Sequence, residues 1–484
     1  MKRSKIALAL TVTVSMLSLT ACNDDNNESS SSNPKTSYIS EANYDLDTVD
    51  NTSSIKVMTY NMTDVRGKTA EATALVMFPK AIQPKDGYRV VVWEHGTVGA
   101  GDECAPSENA IHPRFKILAN SLLAAGYVIV APDYEGLGKP GVHPYLNLSS
   151  AAKSALFSIQ AAKEHFGKQL NGAWMSIGQS QGGHASLGTA EFANTDTNYK
   201  GAVAAAPASS LGTIIKIYLD PKLNVDANGA SKGVSKLDEQ LLQIRYLVAN
   251  NQLTPEMEEA YLAQLADGYA ELLAYAALTT SGVKAYDPNY DLKSIFTADA
   301  GLIAENAYGR TGDDGACLSY ADPNSANGLQ AQFKAGVLAF IKNPAHTISQ
   351  YGIDLNKIDS DPVVQKFLSD NQPATNATAD KVIKTPVYII QGGNDLAVIP
   401  DVTKALFANM KSQATKYFPQ ANYANEYLLD VVPNAGHTQA IICRNAEAVD
   451  FILAKMPAGT GIYLTRAQKD ASQSQHCTGV ATSN

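Results

Sequence analysis

Short apolar or alternating runs, each bounded by Gly, Pro or Asn, recur through the first half of the chain at residues 55–62, 72–78, 89–94, 127–131, 173–177 and 202–206. Their length and pattern predict β-strands. Between two of them, residues 151–166 place Ala155, Ile159, Ala162 and Phe166 on one helical face. A small-residue helix is expected at 185–192. Two more strand-like runs come late, at 387–390 and 427–432, with helical stretches at 402–411 and 440–455. Strands rich in Val and Ile that alternate with helices predict an α/β chain whose mostly parallel central sheet is covered on both faces.

The 177 residues from Ser209 to Thr385 break this rhythm and read as mainly helical. Thr254 is placed to cap a helix that starts at Pro255 and carries early glutamates. Leu262, Leu265, Tyr269, Leu272, Leu273 and Ala276 then repeat at helical intervals. A large helical insertion at 209–385 is therefore expected to divide an α/β core into 37–208 and 386–484.

The N-terminus has a different pattern. Lys2, Arg3 and Lys5 precede an uncharged, largely apolar run at 6–19, shorter than the roughly 20 residues a membrane-spanning helix needs. That run reads as an export signal. It ends in Leu19-Thr20-Ala21-Cys22, which resembles the bacterial lipobox. Residues 1–21 are thus expected to be a lipoprotein signal peptide, removed to leave Cys22 as an acylated membrane anchor. Residues 22–36, rich in Ser and Asn, have almost nothing to bury and read as a tether. The expected address is the cell envelope. Asn23 rather than Asp after the cysteine points, by resemblance to enterobacterial sorting rules, to the outer membrane or cell surface.

Cleavage would remove three cations and no anions, taking the formal charge from −9 to −12. With no basic run anywhere, an electrostatic grip on nucleic acid is not expected. Four cysteines follow Cys22, namely Cys104, Cys317, Cys443 and Cys477, and an even number in an exported chain predicts two disulfides. Three pairings are possible; Cys104 with Cys317 and Cys443 with Cys477 would give each region one staple. No CxxC or HxxxH spacing occurs, so no metal site is expected.

Gly178-Gln179-Ser180-Gln181-Gly182-Gly183 stands between an expected strand and an expected helix. This is the setting of a nucleophile elbow, in which a strained turn presents a serine hydroxyl and small neighbours avoid clashes. Ser180 is the candidate nucleophile, with Gly178 and Gly182 as its small neighbours. The N–H of Gln181 would face a developing oxyanion at the positive end of the helix. A serine needs a base, and a neutral imidazole suits that task. In the order serine, acid, histidine, the acid follows a late strand and the histidine follows the last one. Asp395, in Gly392-Gly393-Asn394-Asp395, and His437, in Asn434-Ala435-Gly436-His437, take those places. Asp430 competes with Asp395 but lies within a strand, and His476 competes with His437 but lies in a polar tail. The second oxyanion donor is expected from Thr97 N–H, in His95-Gly96-Thr97 after the strand at 89–94. His95 and His184 read as packed histidines rather than second bases.

These segments, with Ala131-Pro132-Asp133-Tyr134-Glu135-Gly136, resemble in order the secretory lipase family of the α/β-hydrolase superfamily, the fungal lipase A type and its bacterial relatives. The likeness spans about residues 50 to 456. It implies an α/β-hydrolase fold, lipase or esterase activity, a mainly helical cap before the acid-bearing strand, no cofactor and the disulfide pairing named above. Gln179 stands where the family usually has Tyr, and the proline after the acid loop is displaced to Pro400, which leaves acyl preference open. An ester with an apolar acyl group is the expected substrate. The insertion's apolar stripe reads first as cap core and second, through Tyr246, Tyr261, Leu265, Tyr269 and Leu272, as an acyl tunnel. The fold also hosts peptidases and feruloyl or acetyl esterases with the same triad, and a non-catalytic lipoprotein that binds a ligand is the rival from another class.

Overall fold

A computed structural model describes residues 36–319, 326–374, 378–462, 464–466, 468 and 477. The expected signal peptide, Cys22, all of the expected tether but its last residue, and His476 lie outside the described residues. Nine strands form one sheet: β1 (Tyr38–Asn43), β2 (Thr52–Thr63), β3 (Thr69–Pro79), β4 (Tyr88–Glu94), β5 (Val128–Pro132), β6 (Leu170–Gln179), β7 (Tyr199–Ala205), β8 (Val387–Gly392) and β9 (Tyr427–Val432). Their spatial order is β1-β2-β3-β5-β4-β6-β7-β8-β9. The first three strands and the β3–β5 pair are antiparallel, and the run from β5 to β9 is parallel. The fold is α/β with a mostly parallel sheet.

Strand β1 is the one the sequence reading did not foresee. It is an edge strand, Tyr-Ile-Ser-Glu-Ala-Asn, with no buried position, so no alternation of apolar and polar residues marks it. Backbone pairing with β2 and the N–H groups of Ser37 and Tyr38 donating to Glu164 Oε2, at 2.7 and 2.9 Å, hold it.

Helices α1 (Pro113–Ala125), α2 (Leu148–Phe166) and α3 (Gln181–Phe192) connect the parallel strands. Between β7 and β8 the chain forms α4 (Leu211–Leu219), α5 (Lys236–Ala249), α6 (Pro255–Tyr286), α7 (Ala298–Ala304), α8 (Leu329–Ile341), α9 (Leu355–Ser360) and α10 (Pro362–Asp370). The core ends with α11 (Pro400–Tyr417), α12 (Gln439–Cys443) and α13 (Asn445–Lys455). No helix among the described residues is long and apolar enough to cross a membrane.

Period-two packing explains why the central strands are apolar throughout. Val91, Trp93, Ile129 and Ala131 pack toward α1, α12 and α13, while Val90, Val92, Val128 and Val130 pack toward α2, α3 and α11. The helices between β7 and β8 bury a core of their own around Leu273, Phe296, Phe333 and Val337. α6 starts where its caps require: Thr254 accepts from Met257 N–H at 3.3 Å, and Pro255 occupies the first turn. The helix expected at 440–455 is two helices broken at Arg444. There Cys443 turns to Cys477, and Arg444 Nε donates to Asp430 Oδ2 at 2.7 Å. The two disulfides are Cys104–Cys317 and Cys443–Cys477.

Candidate active site

Ser180 joins β6 to α3 with φ 62° and ψ −118°, a backbone region that costs a non-glycine residue about 1–3 kcal/mol. Its N–H donates to Ala205 O at 2.9 Å, and its carbonyl accepts from His184 N–H and Ala208 N–H, both at 3.0 Å. These bonds pin the turn to the chain leaving β7. The flanking glycines answer a space problem. An added Cβ would sit 2.1 Å from Gly182 O at Gly178 and 1.8 Å from Glu94 O at Gly182. The elbow thus lies directly on the end of β4.

Gln181 N–H opens α3, where the first amides have no intrahelical acceptor and the helix dipole is positive. The Gln181 side chain is drawn away: its Nε2 donates to His143 Nε2 at 3.0 Å, while His143 Nδ1 donates to Glu135 O at 2.8 Å. Burial lowers the His143 pKa to about 4, which suits this neutral tautomer. Thr97 follows β4, and its Oγ1 meets Tyr145 OH at 2.9 Å. Among the described residues neither the Gln181 nor the Thr97 N–H donates to another group of the chain. Gly96 brings this loop against the elbow, since a Cβ there would lie 3.2 Å from Gln179 O and 3.7 Å from Ser180 Cβ. The loop is also fastened to the insertion. Leu318 N–H donates to Val98 O and Asp102 N–H to Asp313 O, both at 2.8 Å, beside the Cys104–Cys317 bond.

His437 follows β9, and its Nδ1 lies 2.8 Å from Asp395 Oδ2. The Asp395 side chain is fully buried. Its Oδ1 accepts from Ala397 and Val398 N–H at 2.9 and 2.8 Å, and its Oδ2 also accepts from Gln391 Nε2 at 3.1 Å. A carboxylate so supplied with donors holds the imidazole with Nδ1 protonated. His437 Nε2 is buried and unpartnered. It is not hydrogen-bonded to Ser180 Oγ, although both residues line one cavity; in unliganded sites this bond is commonly long and tightens around substrate. Asp430 does not bond to His437; it accepts from Arg444 and from Tyr388 OH.

The remaining histidines singled out in the sequence are packing groups. His95 is buried against the Tyr134 ring at 4.3 Å, with Nδ1 2.7 Å from Gly96 O and Nε2 3.1 Å from Asp133 O. Burial lowers its pKa, so the neutral ring donates to one of these carbonyls. His184 Nε2 meets Asn371 O at 2.7 Å, and burial lowers its pKa to about 4. Beneath the site, burial keeps Glu94 well above the ordinary carboxyl range and raises Asp133 and Glu135 to about 7. These acids tie neighbouring elements together: Thr189 Oγ1 of α3 donates to Glu94 of β4 at 2.6 Å, and Thr73 Oγ1 of β3 to Asp133 after β5 at 2.7 Å.

Ser180, His437, Gly96 and Thr97 line a cavity of about 300 Å³, with Trp93, Phe115 and Ile441 among its apolar walls. From the insertion, Glu271 and Tyr275 of α6 line it together with Leu318, Ser319 and Gln330. Gln391, Tyr145, His143, Glu271 and Tyr275 escaped the sequence reading, since nothing in their spacing sets them apart from other polar residues. A second cavity of about 500 Å³ lies among α5 and α6, and Tyr261, Leu265, Tyr269 and Leu272 line it. Tyr246 does not; it is 61% exposed. Among the described residues no group of three or more His, Cys, Asp or Glu is placed to hold a metal.

No protein-family profile matches the chain, and no curated protein is similar to it in sequence. Solved structures are similar to it in fold. Lipase A of Candida antarctica matches with a TM-score of 0.56 at 16% identity, over 91% of this chain and 89% of that one. The rice cell wall degrading esterase LipA of Xanthomonas oryzae matches with 0.52 at 16%, over 83% and 90%. A protein of Legionella pneumophila described as a candidate hydrolase matches with 0.55 at 16%, over 83% and 88%. With its mostly parallel sheet and flanking helices, the chain has the α/β-hydrolase fold of these neighbours.

Proposed function

We propose that this chain is a serine hydrolase of carboxylic esters, a lipase or carboxylesterase that works through an acyl-enzyme. His437 Nε2 takes the Ser180 Oγ proton as Oγ attacks the ester carbonyl, and Asp395 stabilises the imidazolium that forms. The oxyanion is held by Gln181 and Thr97 N–H groups, already free to donate. Collapse breaks the C–O bond to the alcohol, which leaves with the proton from His437. Water, deprotonated by His437, then releases the acid. The apolar walls of the cavity favour an apolar acyl group. No step needs a cofactor.

The observation that carries this reading is the orientation of His437, fixed at Nδ1 by a buried carboxylate while Nε2 is left unpartnered in the cavity that Ser180 lines. The test is hydrolysis of p-nitrophenyl esters from acetate to palmitate by the wild type and Ser180→Ala. Turnover that falls by at least about 10⁴-fold in the variant is expected; equal turnover in both, or none on any ester, would falsify the reading.

We further propose that the helical insertion at 209–385 acts as the cap and that Cys22 carries a lipid anchor on the 22–36 tether, placing the enzyme in the cell envelope. The support is the order of charged, apolar and small residues before Cys22. Mass spectrometry of the mature N-terminus, together with release of Cys22→Ala into the soluble fraction, tests it; an unmodified, membrane-free wild type would overturn it.

A further inference from the structure

We propose that Glu271 and Tyr275 form a partition that sets the acyl length, restricting the enzyme to short-chain esters; this rests on the esterase reading above. Both residues line the catalytic cavity of about 300 Å³ and the second cavity of about 500 Å³, so they stand where the two spaces meet. They are one turn apart on α6 and therefore share a helix face. Tyr275 OH donates to Glu271 Oε1 at 2.5 Å, the one hydrogen bond that Glu271 makes among the described residues, and the Arg114 guanidinium, which also lines the catalytic cavity, attracts both groups electrostatically. The bond holds each side chain in place with the other.

The chemistry of this wall opposes that of the spaces it separates. On the catalytic side Trp93, Phe115 and Ile441 give a mainly apolar surface beside Arg114 and Gln330; on the far side Leu237, Ile244 and Leu265 do so beside Gln240 and Gln264. An acyl chain growing from Ser180 along the apolar side of the cavity would end against the carboxylate and phenol. To pass, it would have to break their hydrogen bond and cover a carboxylate with methylenes, which leaves a polar group desolvated without compensation. A short acyl group stops before that point. The second cavity reaches Leu396 and Ala397, next to Asp395, so an opened passage would run behind the catalytic acid.

The experiment compares the wild-type full chain with Glu271→Leu, Tyr275→Phe and the Glu271→Ala/Tyr275→Ala double variant on p-nitrophenyl acetate, butyrate, octanoate and laurate. Circular dichroism establishes that each variant is folded. The wild type should prefer acetate or butyrate, and the laurate-to-acetate ratio of kcat/KM should rise by about tenfold or more in the double variant. Glu271→Leu, which removes the charge without opening much space, should raise the ratio less. A wild type that already prefers laurate, or ratios unchanged in every folded variant, would overturn the partition. The esterase reading fails separately, through absence of Ser180-dependent turnover. In that case 1-dodecanol binding by calorimetry decides the partition, tighter binding by the double variant supporting it and equal binding by both overturning it.

Discussion

Asp395 Oδ2 is shared between His437 Nδ1, at 2.8 Å, and Gln391 Nε2, at 3.1 Å. Both backbone donors fall on Oδ1, so the carboxylate's four acceptor positions are filled. Asp395→Asn would place an N–H among these donors and favour the wrong histidine tautomer, and kcat should fall roughly 10³–10⁴-fold. Asp430→Asn is the counter-case. It weakens a half-buried pair with Arg444 and should cost roughly 1–2 kcal/mol in urea unfolding with little change in kcat. The reverse pattern would make Asp430 the acid.

Two glycine substitutions should act in opposite directions. Gly182→Ala drives a methyl to 1.8 Å from Glu94 O, against backbone that has no room to move, and should cost about 3 kcal/mol or more. Gly268→Ala, within α6, meets nothing within 4 Å and should stabilise by about 0.5–1 kcal/mol through helix propensity. Denaturation midpoints of the two variants measure both.

The disulfides should differ in what their loss removes. Cys104–Cys317 closes 213 residues and Cys443–Cys477 closes 34. A loop-entropy account assigns them about 5 and about 4 kcal/mol as upper values. Replacement of each pair by serines should therefore lower Tm in both proteins and more in the first. Only the first should also lower kcat, because Cys104 fastens the loop that carries Thr97. Equal loss of kcat in both would show that the staple does not position that loop.

Asp133 gives the fold a pH dependence with a definite sign. Burial raises its pKa from 3.8 to about 7, so between those values the folded protein holds a proton that the unfolded chain has released. Stability therefore falls as pH rises through that window, by up to about 1.4 kcal/mol per pH unit. Asp133→Asn removes the titration. Its stability relative to wild type should grow from pH 5 to about 7 and then level off in urea unfolding. His143 and His184 act in the opposite direction between about 4 and 6.5, but they are present in both proteins and cancel in the difference. A flat difference would mean that Asp133 does not titrate there.

The legible parts of the fold were those that physics writes into local spacing. β4, β5 and β8 are apolar because both their faces are covered, and the elbow is visible because two backbones press on Gly178 and Gly182. β1 carries no such mark, since its stability lies in backbone pairing at an exposed edge. The strand order that sets β5 between β3 and β4 depends on distant pairing and leaves no local trace. The same holds around the site. Ser180, Asp395 and His437 sit at strand ends where the fold makes chemistry available, whereas Gln391 and Tyr145 act by touching Asp395 and Thr97, and contact across the fold has no sequence spacing. Arg444 divided an expected helix for the same reason: its partner, Asp430, lies on a strand, outside any helical window.

The insertion between β7 and β8 has a consequence for the order of assembly. Ala202 of β7 pairs with Val387 of β8, so as the chain emerges N-terminus first, the outer edge of β7 waits for residues 203–386 to follow before its neighbour arrives. Its sequence, Gly-Ala-Val-Ala-Ala from Gly201 to Ala205, is small and weakly strand-forming, a poor template for a stray strand. The helices of the insertion, built largely on local contacts, have time to form meanwhile. β8 and β9 arrive last, and they bring Asp395 and His437, so the emerging chain pairs this carboxylate with this imidazole only as its sheet is completed.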